Sequence, residues 1–186
     1  MRSNKYLKYI PTYCVYSVFD IDFNKLYEMR KKIILTDLDN TLISYQMNHA
    51  TVELISLNEQ LRALGFKIYI VSNNNDKRIN EFSKTFEIDG FLTKASKPKP
   101  NKINNFIKDN NLNKKEIIFI GDQLVTDIAG ANNAGLDCVL VSTIDKTTQK
   151  WYTKINRLRE KRIIRNINNI DSLMAKRIHE VTNRGK

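Results

Sequence analysis

Six side chains in this sequence have types and spacing suited to chemistry on a phosphate. Asp37 and Asp39 follow an apolar run, Asp122 and Asp127 stand five apart after another, Ser72 closes a third, and Lys97 opens a loop stiffened by Pro98 and Pro100. A lone acid after a strand is usually a helix cap or a solvated turn. Four acids at two strand ends are harder to dismiss: if the two strands are neighbours, the carboxylates converge in one crevice, where repulsion raises their pKa values or demands a cation. Mg²⁺ suits such a site, because it prefers hard oxygen ligands and keeps positions open for water or a phosphate oxygen. Lys97 would balance the remaining charge and hold phosphate oxygens. Lys94 and Lys99 are close enough in sequence to take its place; Lys97 is preferred because it directly precedes Pro98.

The elements that must position these residues alternate regularly. Strand-like runs cover Lys32 to Leu38, Lys67 to Val71, Gly90 to Thr93, Ile117 to Ile120 and Cys138 to Val141. Between them lie helical patterns: one from Thr51, a plausible N-cap, to a stop at Gly65; one capped by Asp76 with Ile79, Phe82 and Phe86 on its apolar face; one presenting Ile103, Phe106 and Ile107; and one from Val125 to Ala134 stopped by Gly135. Five strands separated by helices predict an α/β fold with a parallel sheet covered on both faces. In such sheets ligands bind at the carboxyl ends of the strands, where the order reverses, and the acids, Ser72 and Asn73 fall at those ends.

The charge is uneven. The net charge is +11, but residues 146–186 carry 12 basic and 3 acidic side chains, against 19 and 17 in residues 1–145. The organisation expected is therefore a core over 1–145, with an N-terminal extension over 1–30, and a basic tail over 146–186. In the tail, Ile163, Ile167, Ile170, Met174, Ile178 and Val181 recur at spacings of three and four, which predicts an amphipathic helix or a broken pair, packed on the core or extending from it. Trp151 and Tyr152 would pin the tail to the sheet or anchor it at an interface. The cluster Arg157, Arg159, Lys161, Arg162 and Arg165 reads as a solvated helix face or as a contact with an anionic membrane or RNA surface. Cys14 and Cys138 have no metal-ligand spacing, which excludes a zinc knuckle or C-x-x-C centre. No apolar run approaches the roughly 20 residues of a membrane span, the stretch from Tyr9 to Phe19 lacks a cleavage pattern, and a reducing cytoplasm is the compartment expected. With no G-x-x-x-x-G-K-[ST] and no G-x-G-x-x-G run, Walker-type hydrolysis and dinucleotide redox chemistry have no support. A receiver domain would carry its acid on the third strand, where Gly90 to Lys94 has none.

Four separated motifs in this order resemble the haloacid dehalogenase (HAD) superfamily of phosphatases: Asp37-Leu38-Asp39-Asn40-Thr41, Ser72, Lys97, and Gly121-Asp122 with Asp127. The resemblance implies a HAD-like Rossmannoid fold of three α/β/α layers and a phosphomonoesterase using Mg²⁺. Asp37 would be the nucleophile that forms a phosphoaspartyl intermediate, and Asp39 the general acid and base. Thr41, Ser72, Asn73 and Lys97 would bind the phosphoryl group. Mg²⁺ would be held by Asp37, the Asp39 backbone carbonyl and Asp122, with Asp127 supporting the shell.

Pro11, Ser17 to Ile21, Asp37 to Leu42, Gly121 to Leu124, Thr126-Asp127 and Thr153 to Arg157 narrow the resemblance to the YqeG subfamily, class IIIA. That subfamily is similar to the mitochondrial phosphatidylglycerophosphate phosphatase, which implies a lipid phosphate at an anionic membrane surface, with the protein peripheral to the inner face. Ala131-Asn132-Asn133 departs from the Gly-Asn-Arg-like run of the family. No segment is long enough to build a large cap domain over the site. The alternatives are a phosphatase for a soluble phosphometabolite, and an RNA- or ribosome-associated binding protein with residual hydrolysis.

Overall fold

The computed structural model describes residues 5–147 and 151–184, apart from the side chains of residues 151–155 and 157. Strands β1 (Tyr13–Cys14), β2 (Ile33–Thr36), β3 (Lys67–Val71), β4 (Gly90–Leu92), β5 (Ile117–Gly121) and β6 (Asp137–Leu140) pair in parallel in the order β1-β6-β5-β2-β3-β4. Helices α1 (Phe23–Glu28), α2 (Val52–Ala63), α3 (Asp76–Phe82), α4 (Asn101–Asp109), α5 (Ala129–Ala134), α6 (Trp151–Asn168) and α7 (Ser172–Asn183) cover both faces. The five strands expected are present, with one more at the edge: Tyr13–Cys14 lies beside Val139–Leu140. Two residues are too few to show a period, which is why this strand is silent in the sequence.

Alternation along the central strands divides the core. Ile34, Ile68, Ile70, Ile118, Ile120 and Val139 pack with Leu26 of α1, Leu54 and Leu61 of α2, and Ile79 and Phe82 of α3. Their neighbours Leu35, Val71, Phe119, Cys138 and Leu140 face Ile103 and Ile107 of α4, Ala131 of α5, and Ile163, Ile167, Ile178 and Val181 of α6 and α7. Both faces of these strands are therefore buried, as a continuous β-branched run requires. Thr51 caps α2, its Oγ1 accepting from Leu54 N at 3.3 Å. Asp76 does not cap α3: Asn75 holds the cap position, and the Asp76 carboxylate accepts from Thr93 Oγ1 instead. The helix expected over 125–134 begins with a wider π-type turn, Leu124–Ile128, and ends at Gly135, whose φ of +73° is left-handed.

The tail is a helix pair broken at Asp171, whose Oδ1 accepts from Met174 N at 2.8 Å. Its apolar face belongs to the sheet's core, and Ile170, at the break, stays exposed. The expectations attached to the side chains of Trp151, Tyr152 and Arg157 lie outside the described residues. Among the described residues no helix is long and apolar enough to cross a membrane.

If the tail is part of the fold, Ile178→Ala, at a fully buried position, lowers the unfolding free energy by about 3 kcal/mol. Arg162→Gln, on the exposed face, changes it by less than about 0.5 kcal/mol. Urea unfolding of both variants checks this, and an unchanged midpoint for Ile178→Ala would contradict the packing.

Candidate active site

Strand order reverses between β2 and β5, and the chain beyond their carboxyl ends carries the acids. Asp37 follows β2 directly, its N–H bonded to Ile120 O at 2.9 Å, so the β2–β5 ladder sets its height. Asp122 follows β5 and accepts from Thr143 Oγ1 at 2.8 Å. Asp127 is brought back by the π-type turn, and its Oδ2 accepts from Gln123 N at 3.1 Å. The return is so tight that a Cβ on Gly121 would sit 2.4 Å from Asp127 Cβ, so only glycine fits there.

Lys97 reaches the acids from the loop after β4. Ser96, at φ +62°, turns that loop, and Asn73 fastens it by accepting from Lys97 N at 2.8 Å and donating to Lys97 O at 3.2 Å. The Lys97 ammonium lies 2.7 Å from Asp37 Oδ1, from Asp127 Oδ1 and from Val71 O, so each of its three protons has an acceptor. Lys94 and Lys99 are exposed, and Lys97 is the buried one of the three. Burial works against its charge, yet Asp127 and Asp37 outweigh burial and hold the ammonium above the usual lysine range. Burial pushes Asp37 well above the usual carboxylate range; Lys97 draws it down, and Asp127, Asp39 and Asp122 push it up again.

One oxygen from each of Asp37, Asp122 and Asp127 lies within 4.8 Å of the other two. An all-oxygen set of three buried carboxylates fits a hard divalent cation. The expected convergence of four carboxylates holds for three. Asp39 lines the same cavity, of about 210 Å³, but its side chain is drawn aside by Arg78 and Asn74. The turn responsible is at Asn40, with φ +65°, which accepts from Asp145 N through its side chain at 3.2 Å.

The residues expected around a phosphate also separate. Ser72 is buried at the cavity, its Oγ accepting from Asn74 N at 3.0 Å and keeping its proton for a further acceptor. Asn73 lines the cavity, but its side chain is engaged in holding Lys97. Thr41 departs from expectation: the turn at Asn40 places it in the wall of a neighbouring cavity of about 570 Å³, with Ser17 and Thr143, rather than beside Lys97.

Several residues of the site were given no role in the sequence, although Asn156 falls in the Thr153 to Arg157 run that carried the resemblance. Asn156, from the first turns of α6, lines the cavity that holds Asp37 and Lys97, and the buried Glu160 one turn on accepts from Leu124 N at 2.8 Å, fastening α6 to the turn that carries Asp127. A single acid, Glu160, in an otherwise strongly basic helix was the available signal. Arg78 carried no distinguishing signal, since Lys77 beside it is equally a cation in the first turn of α3.

Comparison with known proteins agrees with this geometry. A family model described as HAD-hydrolase-like matches residues 94–170. The chain is 38% identical over 156 residues to "Probable phosphatase YqeG" of Bacillus subtilis, covering 84% of this chain and 90% of that protein. It is 31% identical over 88 residues to a glyceraldehyde 3-phosphate phosphatase of Pyrococcus abyssi, covering 43% of this chain and 37% of that one. A solved structure described as a haloacid dehalogenase-like hydrolase from Bacteroides fragilis superposes with a TM-score of 0.51 at 16% identity, covering 61% of this chain and 97% of that one, a likeness of fold. With a parallel sheet and nine-tenths of a relative's length matched at this identity, the chain belongs to the HAD-like hydrolases and, among them, to the YqeG phosphatases.

Proposed function

We propose that this phosphatase is an Mg²⁺-dependent phosphomonoesterase working through a phosphoaspartyl intermediate on Asp37. The observation that carries the reading is the Lys97 ammonium set between Asp37 and Asp127 in a buried cluster of acids at the switch point of the sheet. Asp37, Asp122 and Asp127, with the Asp39 backbone carbonyl, would hold the metal, which when bound relieves the repulsion among the carboxylates and polarises a phosphoryl oxygen.

The remaining work falls to the chain. Asp37 attacks phosphorus; the ester P–O bond breaks, its electron pair leaves on the alcohol oxygen, and that oxygen takes a proton from the Asp39 carboxyl. Water then attacks the same phosphorus and gives its proton to Asp39, breaking the bond to Asp37 and releasing inorganic phosphate. Ser72 Oγ–H donates to a phosphoryl oxygen, and Lys97, its three protons already accepted by Asp37, Asp127 and Val71 O, supplies a fixed positive charge beside it. Because burial favours the neutral form of Asp37, its nucleophilic carboxylate depends on the cations beside it.

For the substrate, the reading preferred is a lipid phosphate, phosphatidylglycerophosphate. It is supported by the 570 Å³ cavity, walled by Val18, Leu42 and Ile43, with Phe19, Met47 and Ile144 exposed at its rim, and by the exposed Arg159, Arg162 and Arg165 on α6. These features suit an amphiphile at an anionic surface. A soluble phosphometabolite is the second reading, favoured by the likeness to the Pyrococcus glyceraldehyde 3-phosphate phosphatase.

Asp37→Asn keeps the fold and lowers turnover of a generic aryl phosphate by at least about 10³-fold; retained turnover removes the nucleophile assignment. EDTA abolishes wild-type turnover and Mg²⁺ restores it. At 100 times its dissociation constant Mg²⁺ stabilises the folded wild type by about 2.7 kcal/mol, read as a rise in Tm that Asp122→Asn largely loses; an equal rise in both would place the metal elsewhere. Phosphate release from phosphatidylglycerophosphate in mixed micelles exceeds that from soluble sugar or triose phosphates. The opposite order would favour the soluble reading, and salt-sensitive RNA binding without lipid turnover would point to the basic face as the working surface.

A further inference from the structure

The two cations of the site divide the acids between them. Lys97 takes Asp37 and Asp127, while Arg78, the third residue of α3, takes Asp39, Nε bonding Oδ1. The other oxygen of Asp39 accepts from Asn74 Nδ2, one helical turn before Arg78. The rest of the guanidinium fork is also engaged, with Nη1 donating to Asn48 Oδ1 at 3.1 Å and Nη2 to Ser44 O at 2.8 Å. The Tyr45 ring lies 5.7 Å from the guanidinium carbon. One planar group therefore fixes the Asp39 carboxyl and the 44–48 segment, whose Tyr45 lines the catalytic cavity.

The position is costly in itself. A cation in the first turn of a helix faces the helix's own positive end, and the Arg78 side chain is 17% accessible, so solvation compensates little. Its partner must supply the gain, and that partner is one residue of the reaction.

We infer that Arg78 is a positioning residue for the leaving-group side of the reaction: with Asn74 it holds the Asp39 carboxyl in one orientation at the edge of the cavity, apart from the acid cluster. This rests on the assignment of Asp39 as general acid. Lys97 serves the phosphoryl side, and Arg78 serves the proton that Asp39 gives to the leaving oxygen.

The leaving group itself provides the test. A 2,4-dinitrophenolate departs from phosphorus unaided, while a phenolate needs its proton, so loss of an oriented acid is felt in proportion to the basicity of the leaving group. The readout is the burst of phenol released in the first turnover from phenyl, 4-nitrophenyl and 2,4-dinitrophenyl phosphates, which reports only the step in which the leaving group departs. Asp39→Asn sets the scale, expected to slow phenyl phosphate by about 100-fold and the dinitrophenyl ester by less than about 5-fold. Arg78→Ala is expected to slow phenyl phosphate by about 10-fold or more and the dinitrophenyl ester by less than about 3-fold. Arg78→Lys, which keeps the charge and loses the fork, falls between. An equal loss across the series shows that Arg78 only holds the 44–48 segment, and overturns the inference. A flat series for Asp39→Asn instead removes the general-acid reading beneath it. If Arg78→Ala does not fold, Arg78→Lys and Asn74→Ala carry the same comparison, and a series unchanged from wild type in both overturns the inference equally.

Discussion

Three carboxylates buried at the ends of adjacent strands repel one another through a medium that screens poorly, and they are tolerable only with a cation among them. Lys97 is that cation, and much of the local structure serves to bring it there. The left-handed Ser96, the Asn73 clamp on the Lys97 backbone and the acceptor at Val71 O all fix one ammonium. Lys97 pairs with Asp37 and Asp127, and Asp122 brings a third carboxylate oxygen within 4.8 Å of theirs. Three oxygens held this closely suit a hard cation.

The tail belongs to this argument rather than standing outside it. Its charge suggests an appendage, but α6 and α7 contribute Ile163, Ile167, Ile178 and Val181 to the core face behind β5 and β6, and Glu160 bonds the backbone of the turn that carries Asp127. A buried carboxylate on a backbone N–H is a strong contact in a place that water does not reach. The helix thereby braces the acid cluster from behind, while Asn156 on the same helix forms part of the cavity wall. The basic residues occupy what remains, the outer face.

The strands and most helices could be read from the chain because their signals are local: β-branched runs of four or five residues, capping residues, and glycines where helices stop. The convergence of Asp37, Asp122 and Asp127 was legible on one condition, that the two strands carrying them are neighbours, which the observed order of the sheet meets. What could not be read depended on contacts without a period. Strand β1 is two residues long and exists through its pairing with β6. Thr41 looked like a phosphate ligand by its place in the first motif, but one left-handed residue, Asn40, turns it into the neighbouring cavity. Arg78 lies 39 residues from Asp39, and no local pattern joins them.

On the proposed reading the fold also spreads the chemistry along the chain. Lys97, Asp122 and Asp127, set against the phosphoryl group with Ser72, are held by the ladder, the glycine return and the π-type turn. Asp39, Tyr45 and Arg78, set against the departing group, come from segments between 39 and 78. Residues 44–48 touch the second set through Arg78, and none of them is among the acids of the cluster or the groups bonded to Lys97. Change in residues 44–48 can therefore occur without touching a contact of the acid cluster, as expected where a site is built on a fold in separable parts.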